Sequence, residues 1–229
     1  MEVRKYLSVK EIDSMWDLFT TSVYQKIRFL SHLEQFNPCH QRYYVAHGQS
    51  KEIIAGAIVY SLNINLFTFN KYSFPISISV IGLPASVDAS GVVGKDSACM
   101  KLLIHKILQE EKGLVLCLNH NDIDEIQDIV IMDTLPTLIF EKRNSTWIDF
   151  LTNIKYGYRR RIIKATNKVK SIEKRAESCS AFTQEHYRQY LAVMARSKTT
   201  LETLSFDFFY HLPETYQLFS LYQIGRAHV

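Results

Sequence analysis

The 229-residue chain is predicted to be a mixed α/β protein built on a mixed sheet. Three observations carry this. Stretches of period-two apolar alternation interleave with stretches of helical spacing, giving the order β-α-α-β-β-β-α-β-α-β over the first 140 residues. Apolar residues make up 47% and charged residues 22%, enough of each for a globular chain with its own core. A β-α-α-β order then starts again near residue 177, which suggests two structurally related halves.

The elements follow in order. Residues 2–7 read as a strand. Ser8 and Glu11 have capping-box spacing, with Ser8 satisfying the first N–H groups of a helix to about Thr20. Ile27, Leu30 and Leu33 mark a second helix from about Val23 to Phe36, ending before Pro38. "RYYVAHGQSKEIIAGAIVYSL" is a hairpin with its turn at Gly48–Lys51, and "YSFPISISVIGLP" is a further strand. "KDSACMKLLIHKILQEE" is a helix whose apolar face holds Met100, Leu103, Ile104 and Ile107. "GLVLCLN", "DIDEIQDI" and "TLPTLIF" complete the order as strand, helix and strand. In the second half "ESCSAFT" is strand-like, Thr183 caps "QEHYRQYLAVMARSK", "TLETLSFDFFYHL" is a helix and "TYQLFSLYQ" a strand. The aromatic cluster "FDFFY" is read as core packing.

Between the halves lies the most unusual segment, "YRRRIIKATNKVK", residues 158–170. Net charge is +4, yet residues 158–175 alone carry +7, so the basic character is local. With 100° per residue and Arg159 at zero, Trp147, Leu151, Ile154, Tyr158, Ile162, Ala165, Val169 and Ile172 all fall between about 220° and 300°. The cations take the complementary arc, about 0° to 200°. Thr146 and Asp149 are spaced as a cap. The pattern predicts one long amphipathic helix, packed along one face and cationic on the other, with Arg159, Arg160, Arg161, Lys164 and Lys168 as candidate anion- or substrate-binding residues.

Several function classes are excluded or lack support. Four cysteines show no CxxC pair, and eight histidines no HxxxH or HExxH, so no metal is expected. Asp122, Asp124 and Asp128 fail as a calcium loop, with Gln127 in place of the needed glycine. There is no GxSxG nucleophile and no signal-peptide core. The longest uncharged run, Ile53 to Asn70, alternates like a strand and contains asparagines, so no membrane span is expected. Reduced cysteines point to the cytoplasm.

The element order resembles the GNAT acyltransferase fold. "TLPTLIFEKRNSTWIDFLTNIKYGYRRRIIKATNKV" resembles, more narrowly, the bacterial FemAB-like group, where a Trp-led helix ending in an arginine cluster joins two such halves. That resemblance implies an acyl-CoA co-substrate, acetyl-CoA foremost, and a small-molecule or peptidyl amine acceptor. It also implies a pyrophosphate-binding turn of the form [Gln/Arg]-x-x-Gly-x-[Gly/Ala] before a helix, where N–H groups and the helix dipole favour an anion. "SGVVGKD" (90–96) occupies that place, making Gly91, Gly94, Lys95 and Ser97 the cofactor-binding candidates. It departs from the pattern, with Gly91 where Gln or Arg belongs and Asp96 where the last small residue belongs, and it is not a P-loop either. An Asp there complements the helix dipole unaided, so the first half reads as a degenerate, supporting copy. No catalytic base is identified.

The expected organisation is a GNAT-like half over 1–143, a linking basic helix over 144–175, and a truncated second half over 176–223. The tail 224–229, "IGRAHV", matches one reading frame of a sequencing-adaptor oligonucleotide, so the chain is read as an inactive fragment of a bacterial N-acyltransferase. Two other readings stay open: a non-catalytic module that binds nucleic acid or another polyanion, and tRNA-dependent aminoacyl transfer of FemAB type. Nucleic acid ranks below an acyl-CoA or acidic ligand, because the stripe holds Trp147 and Tyr158 away from the basic arc where bases would stack. A merely solvated cationic face is the plainest reading of all.

Overall fold

Strand β1 (Glu2–Tyr6) pairs antiparallel with β2 (Arg42–His47), and β2 with β3 (Ile53–Asn65), so the predicted hairpin forms. Its turn closes through Gly48 N–H to Glu52 O at 2.9 Å, with Lys51 at φ 65°. This is seen in a computed structural model that describes residues 1–65, 74–85, 89–120, 129–131, 146–169, 172–197 and 202–223. Strand β4 (Pro75–Ile81) pairs antiparallel with the C-terminal part of β3, and the short β5 (Val92–Gly94) with its N-terminal part. Helix α3 (Ser97–Glu110) then crosses to β6 (Val115–Cys117), which pairs parallel with β4. The sheet order is β1-β2-β3-β4-β6, a mixed sheet.

Period-two alternation sends side chains to two layers. Tyr43, Val45 and Ile58 meet Val9, Trp16, Leu30 and Leu33 on one face; Tyr44, Ala46, Ala57 and Ile81 meet Leu103, Ile104 and Ile107 of α3 on the other. Gly56 allows the indole of Trp16 to lie on the sheet, since a Cβ there would sit 2.2 Å from its ring.

The helical layer is more broken than periodicity suggests. The segment after Ser8 is a 3-10 turn (Val9–Glu11) followed by a separate helix α1 (Met15–Phe19). Ser8 caps it as predicted, but Glu11 reaches the Leu7 N–H at 3.3 Å rather than closing the reciprocal box, and Glu34 takes the Val9 N–H at 2.7 Å and the Ser8 hydroxyl at 3.1 Å. The next segment is likewise a 3-10 turn (Val23–Gln25) leading into α2 (Ile27–Phe36).

The linking region departs most from expectation. The predicted continuous helix is two helices, α4 (Trp147–Asn153) and α5 (Tyr156–Lys168), separated by extended backbone at Ile154 and Lys155. Thr146 caps α4 as predicted, accepting from the Asp149 N–H at 3.1 Å. The basic segment beyond α5 is strand, not helix: β7 (Ile172–Ser178) carries Lys174 and Arg175 and replaces the strand expected at 177–183. After it come a 3-10 turn (Cys179–Ala181), α6 (Gln184–Met194), a helix α7 shortened to Phe206–Tyr210, and β8 (Gln217–Gln223), antiparallel to β7.

The β-α-α-β order does recur, and with it a local detail. Ser178 Oγ accepts from the Ser180 N–H at 3.3 Å as Ser8 Oγ accepts from the Lys10 N–H at 3.3 Å. Phe182 N–H returns to Cys179 O at 3.0 Å as Ile12 N–H returns to Val9 O at 3.1 Å. Helix α7 packs on α2, burying Phe208 in the first core beside His32, so the "FDFFY" cluster is core packing. The expected helix at 122–129, save Ile129, the expected strand at 134–140, the boundary at 143 and the tail at 224–229 lie outside the described residues.

Candidate anion-binding site

On a straight helix, Arg160, Lys164 and Lys168 stand at i, i+4 and i+8 and share a face. In α5 they line an open recess of about 550 Å³, together with Ile163 and Asn167 among the described residues. Arg161 lies beside this row and is exposed, and α5 contains no acidic residue to neutralise it. Arg159 is set apart from the other four. It is half-buried and turns back to α4, its Nη2 donating to Thr152 O at 2.7 Å and Ile154 O at 3.4 Å. It caps the end of α4, whose last carbonyls would otherwise lack donors. The break between the helices and the assignment of Arg159 are therefore one feature.

The apolar stripe is only partly covered. Trp147 is 57% exposed and Tyr158 61%, Leu151, Ile154 and Ile162 are half-buried, and neither α4 nor α5 fully buries a residue. The aromatic residues expected inside are thus open to solvent, which removes the objection that they stand away from any ligand of the basic arc.

The loop at 90–97 is brought together differently from a phosphate cradle. Val92–Gly94 form β5, with Ile58 N–H donating to Gly91 O at 2.8 Å and Lys95 N–H to Ile54 O at 2.8 Å. Gly91 packs on Gly82, where a Cβ would come within 2.4 Å of backbone, and a Cβ on Gly94 would meet Met100 at 2.2 Å. Asp96 caps α3, accepting from the Cys99 N–H at 2.8 Å, and that hydrogen bond holds its carboxyl below the usual range. An anionic carboxylate thus stands where a pyrophosphate would, and the two glycines serve sheet packing. Lys95 and Ser97 flank this cap in the chain. These residues do not fit a pyrophosphate.

Two polar clusters are not foreshadowed by the sequence. Glu111, its side chain 7% exposed, receives Arg42 through Nε at 2.9 Å and Nη2 at 2.8 Å, Tyr44 Oη at 2.7 Å, Lys5 Nζ at 3.0 Å and Ser79 Oγ at 2.9 Å. Burial alone would raise its pKa; the donors from Arg42, Tyr44, Lys5 and Ser79 outweigh that and hold it at about 2. A carboxylate so occupied is a staple between α3 and the sheet, not a proton acceptor. The second cluster is Ser220 Oγ, 3.3 Å from His186 Nε2. His186 Nδ1 accepts the Thr183 N–H at 3.0 Å, which puts the proton on Nε2, so the imidazole donates to Ser220 and cannot take its proton. The thiols are inert as well, with burial pushing Cys39 up to about 12 and Cys117 to about 11. Among the described residues no cluster of His, Cys, Asp and Glu is arranged to hold a metal, and no helix is long and apolar enough to cross a membrane.

Comparison with family models, with curated proteins and with solved structures gave no match. Partners of Glu111 lie 106, 69, 67 and 32 residues away in the chain, so no local motif could have revealed that cluster. The helix break did leave a signal: Asn153, a poor helix former, four residues before Gly157.

Proposed function

We propose that the chain belongs to an acyl-CoA-dependent N-acyltransferase of GNAT-like architecture, acting on an amine. In this reading the first unit is scaffold, and the cationic face of α5 receives the phosphates of the co-substrate. The observation that carries the reading is the crossover from β4 through α3 to a parallel β6, beside four antiparallel neighbours. Apart from the added short strand β5, this follows the first eight elements of the order on which the resemblance rests. The recurring Ser-capped turn after β1 and β7 supports two related units. On α5, Arg160, Lys164 and Lys168 offer charge-assisted donors of the kind that phosphates recruit. The loop at Gly91–Ser97 is left out of the site on the geometry above.

The test is calorimetric titration of coenzyme A into the protein at low salt. One saturable site is expected, weakened about 100-fold in the Arg160→Gln, Lys164→Gln double variant, because each lost charge-assisted bond is worth about 1.5 kcal/mol. No heat with coenzyme A, alongside tight binding of a single-stranded oligonucleotide with a steep salt dependence, would replace the reading with a polyanion-binding module.

A further inference from the structure

We infer that the α4–α5 segment is a docking surface for a bilayer that carries anionic headgroups. It rests on observations independent of the acyltransferase reading. The first is that both helices are amphipathic while neither fully buries a residue of its apolar side. On α5, Tyr158, Ile162, Ala165 and Val169 occupy an arc of about 60°, and Arg160, Lys164, Lys168 and Arg161 one of about 100°. On α4, Trp147, Ile148, Phe150 and Leu151 gather on one side, and Asp149, Thr152 and Asn153 on the other. Low hydrophobicity overall, a narrow apolar face, Trp and Tyr on it and a strongly cationic flank are the marks of a helix lying in the headgroup region.

The second observation is charge complementarity. From Ile154 to Val169 the chain has six cations and no acid. Of these, Arg159 serves the helix break and Arg160, Arg161 and Lys164 point to solvent. The third separates a bilayer from a nucleic acid. Ile148 and Val169 are exposed aliphatic side chains, which gain nothing by stacking on bases but lose water contact on entering a headgroup layer. Trp147 and the tyrosines suit the boundary between the apolar and polar zones. Among the described residues no helix is long and apolar enough to cross a bilayer; the segment would lie upon one.

The chain has its own reporter. Of its two tryptophans, Trp16 is fully buried and Trp147 is 57% exposed, so a change in emission on docking reports Trp147. The experiment mixes the full chain with vesicles of phosphatidylcholine alone, or with one third phosphatidylglycerol. A blue shift and co-sedimentation are expected with the anionic vesicles only. Ile148→Glu should abolish both while leaving the coenzyme A titration unchanged, since Ile148 lies outside the recess; circular dichroism checks that the variant folds. Replacing Arg160, Arg161 and Lys164 with Gln should weaken partitioning roughly 100-fold, at about fivefold per charge. Two results overturn the inference: no shift with anionic vesicles, or a shift with a single-stranded RNA and none with vesicles, which assigns the surface to nucleic acid. Neither touches the acyltransferase reading, which stands or falls on coenzyme A binding.

Discussion

Glu111 shows how a single residue can order a sheet without entering a site. Its two oxygens accept five hydrogen bonds from Lys5, Arg42, Tyr44 and Ser79, tying the end of α3 to β1, β2 and β4. Its pKa falls from 4.5 to about 2 on folding. A depressed carboxyl contributes stability that is complete above the unfolded value and lost as pH falls through the folded one. That contribution, about 3 kcal/mol, therefore drains away between about pH 4.5 and 2. Glu111→Gln should cost roughly 3 kcal/mol at pH 7, because Arg42 would be left half-buried without its counter-charge. It should also flatten the acid limb in that window, and denaturant titrations at pH 7 and pH 3 read both effects. A variant as stable as the parent at pH 7 would show the cluster to be ornamental.

At the scale of elements, periodicity found β1 to β4 and the long helices α3 and α6 and misjudged the linking region, for identifiable reasons. β2 and β3 were legible because alternation with an intervening Gly48 turn is a local signal. The cap of α3 by Asp96 and that of α4 by Thr146 were legible for the same reason. The helix break at Ile154 was masked, because the stripe of apolar residues continues in phase across it and outweighs the weak signal of Asn153 and Gly157; Arg159, reaching back to Thr152 O, shows that the chain has turned. Burial of the stripe was inferred from its composition; its exposure depends on what lies opposite, which no helical wheel contains. Of the anion-binding candidates, Arg160, Lys164 and Lys168 were found by spacing and share a recess, while Arg159 has a structural task. The loop candidates failed for a reason half visible in the sequence: Asp96 was evidently a cap, but the pairing of β5 with β3 was not.

At the scale of the molecule, the second unit is docked through α7 on α2, and a buried imidazole sits in that contact. His32 lies 4.8 Å from the Phe208 ring and 4.9 Å from Phe36, which in turn stacks on His211 at 4.6 Å. Burial lowers the His32 pKa from 6.5, and the nearby His211 adds to the effect. The neutral ring is the folded form, so its contribution is complete above about pH 6.5 and is lost as pH falls below that towards the lowered folded value. We predict loss of stability as pH falls from 7 through 6.5 and below, starting well above the Glu111 window, and its absence in His32→Phe. Thermal melts across that range separate the two groups, and an unchanged pH dependence in the variant would place the titration elsewhere.

The central claim is that a phosphate-bearing ligand meets this protein on α5 and not at the start of α3. Amide chemical-shift mapping during a coenzyme A titration tests it directly. We predict perturbations concentrated on residues 160–168, with the amides of Gly91, Gly94, Lys95 and Ser97 unmoved. Shifts centred on Gly91–Cys99 with α5 silent would contradict it, and would mean that the ligand displaces the Asp96 cap to reach the helix N-terminus.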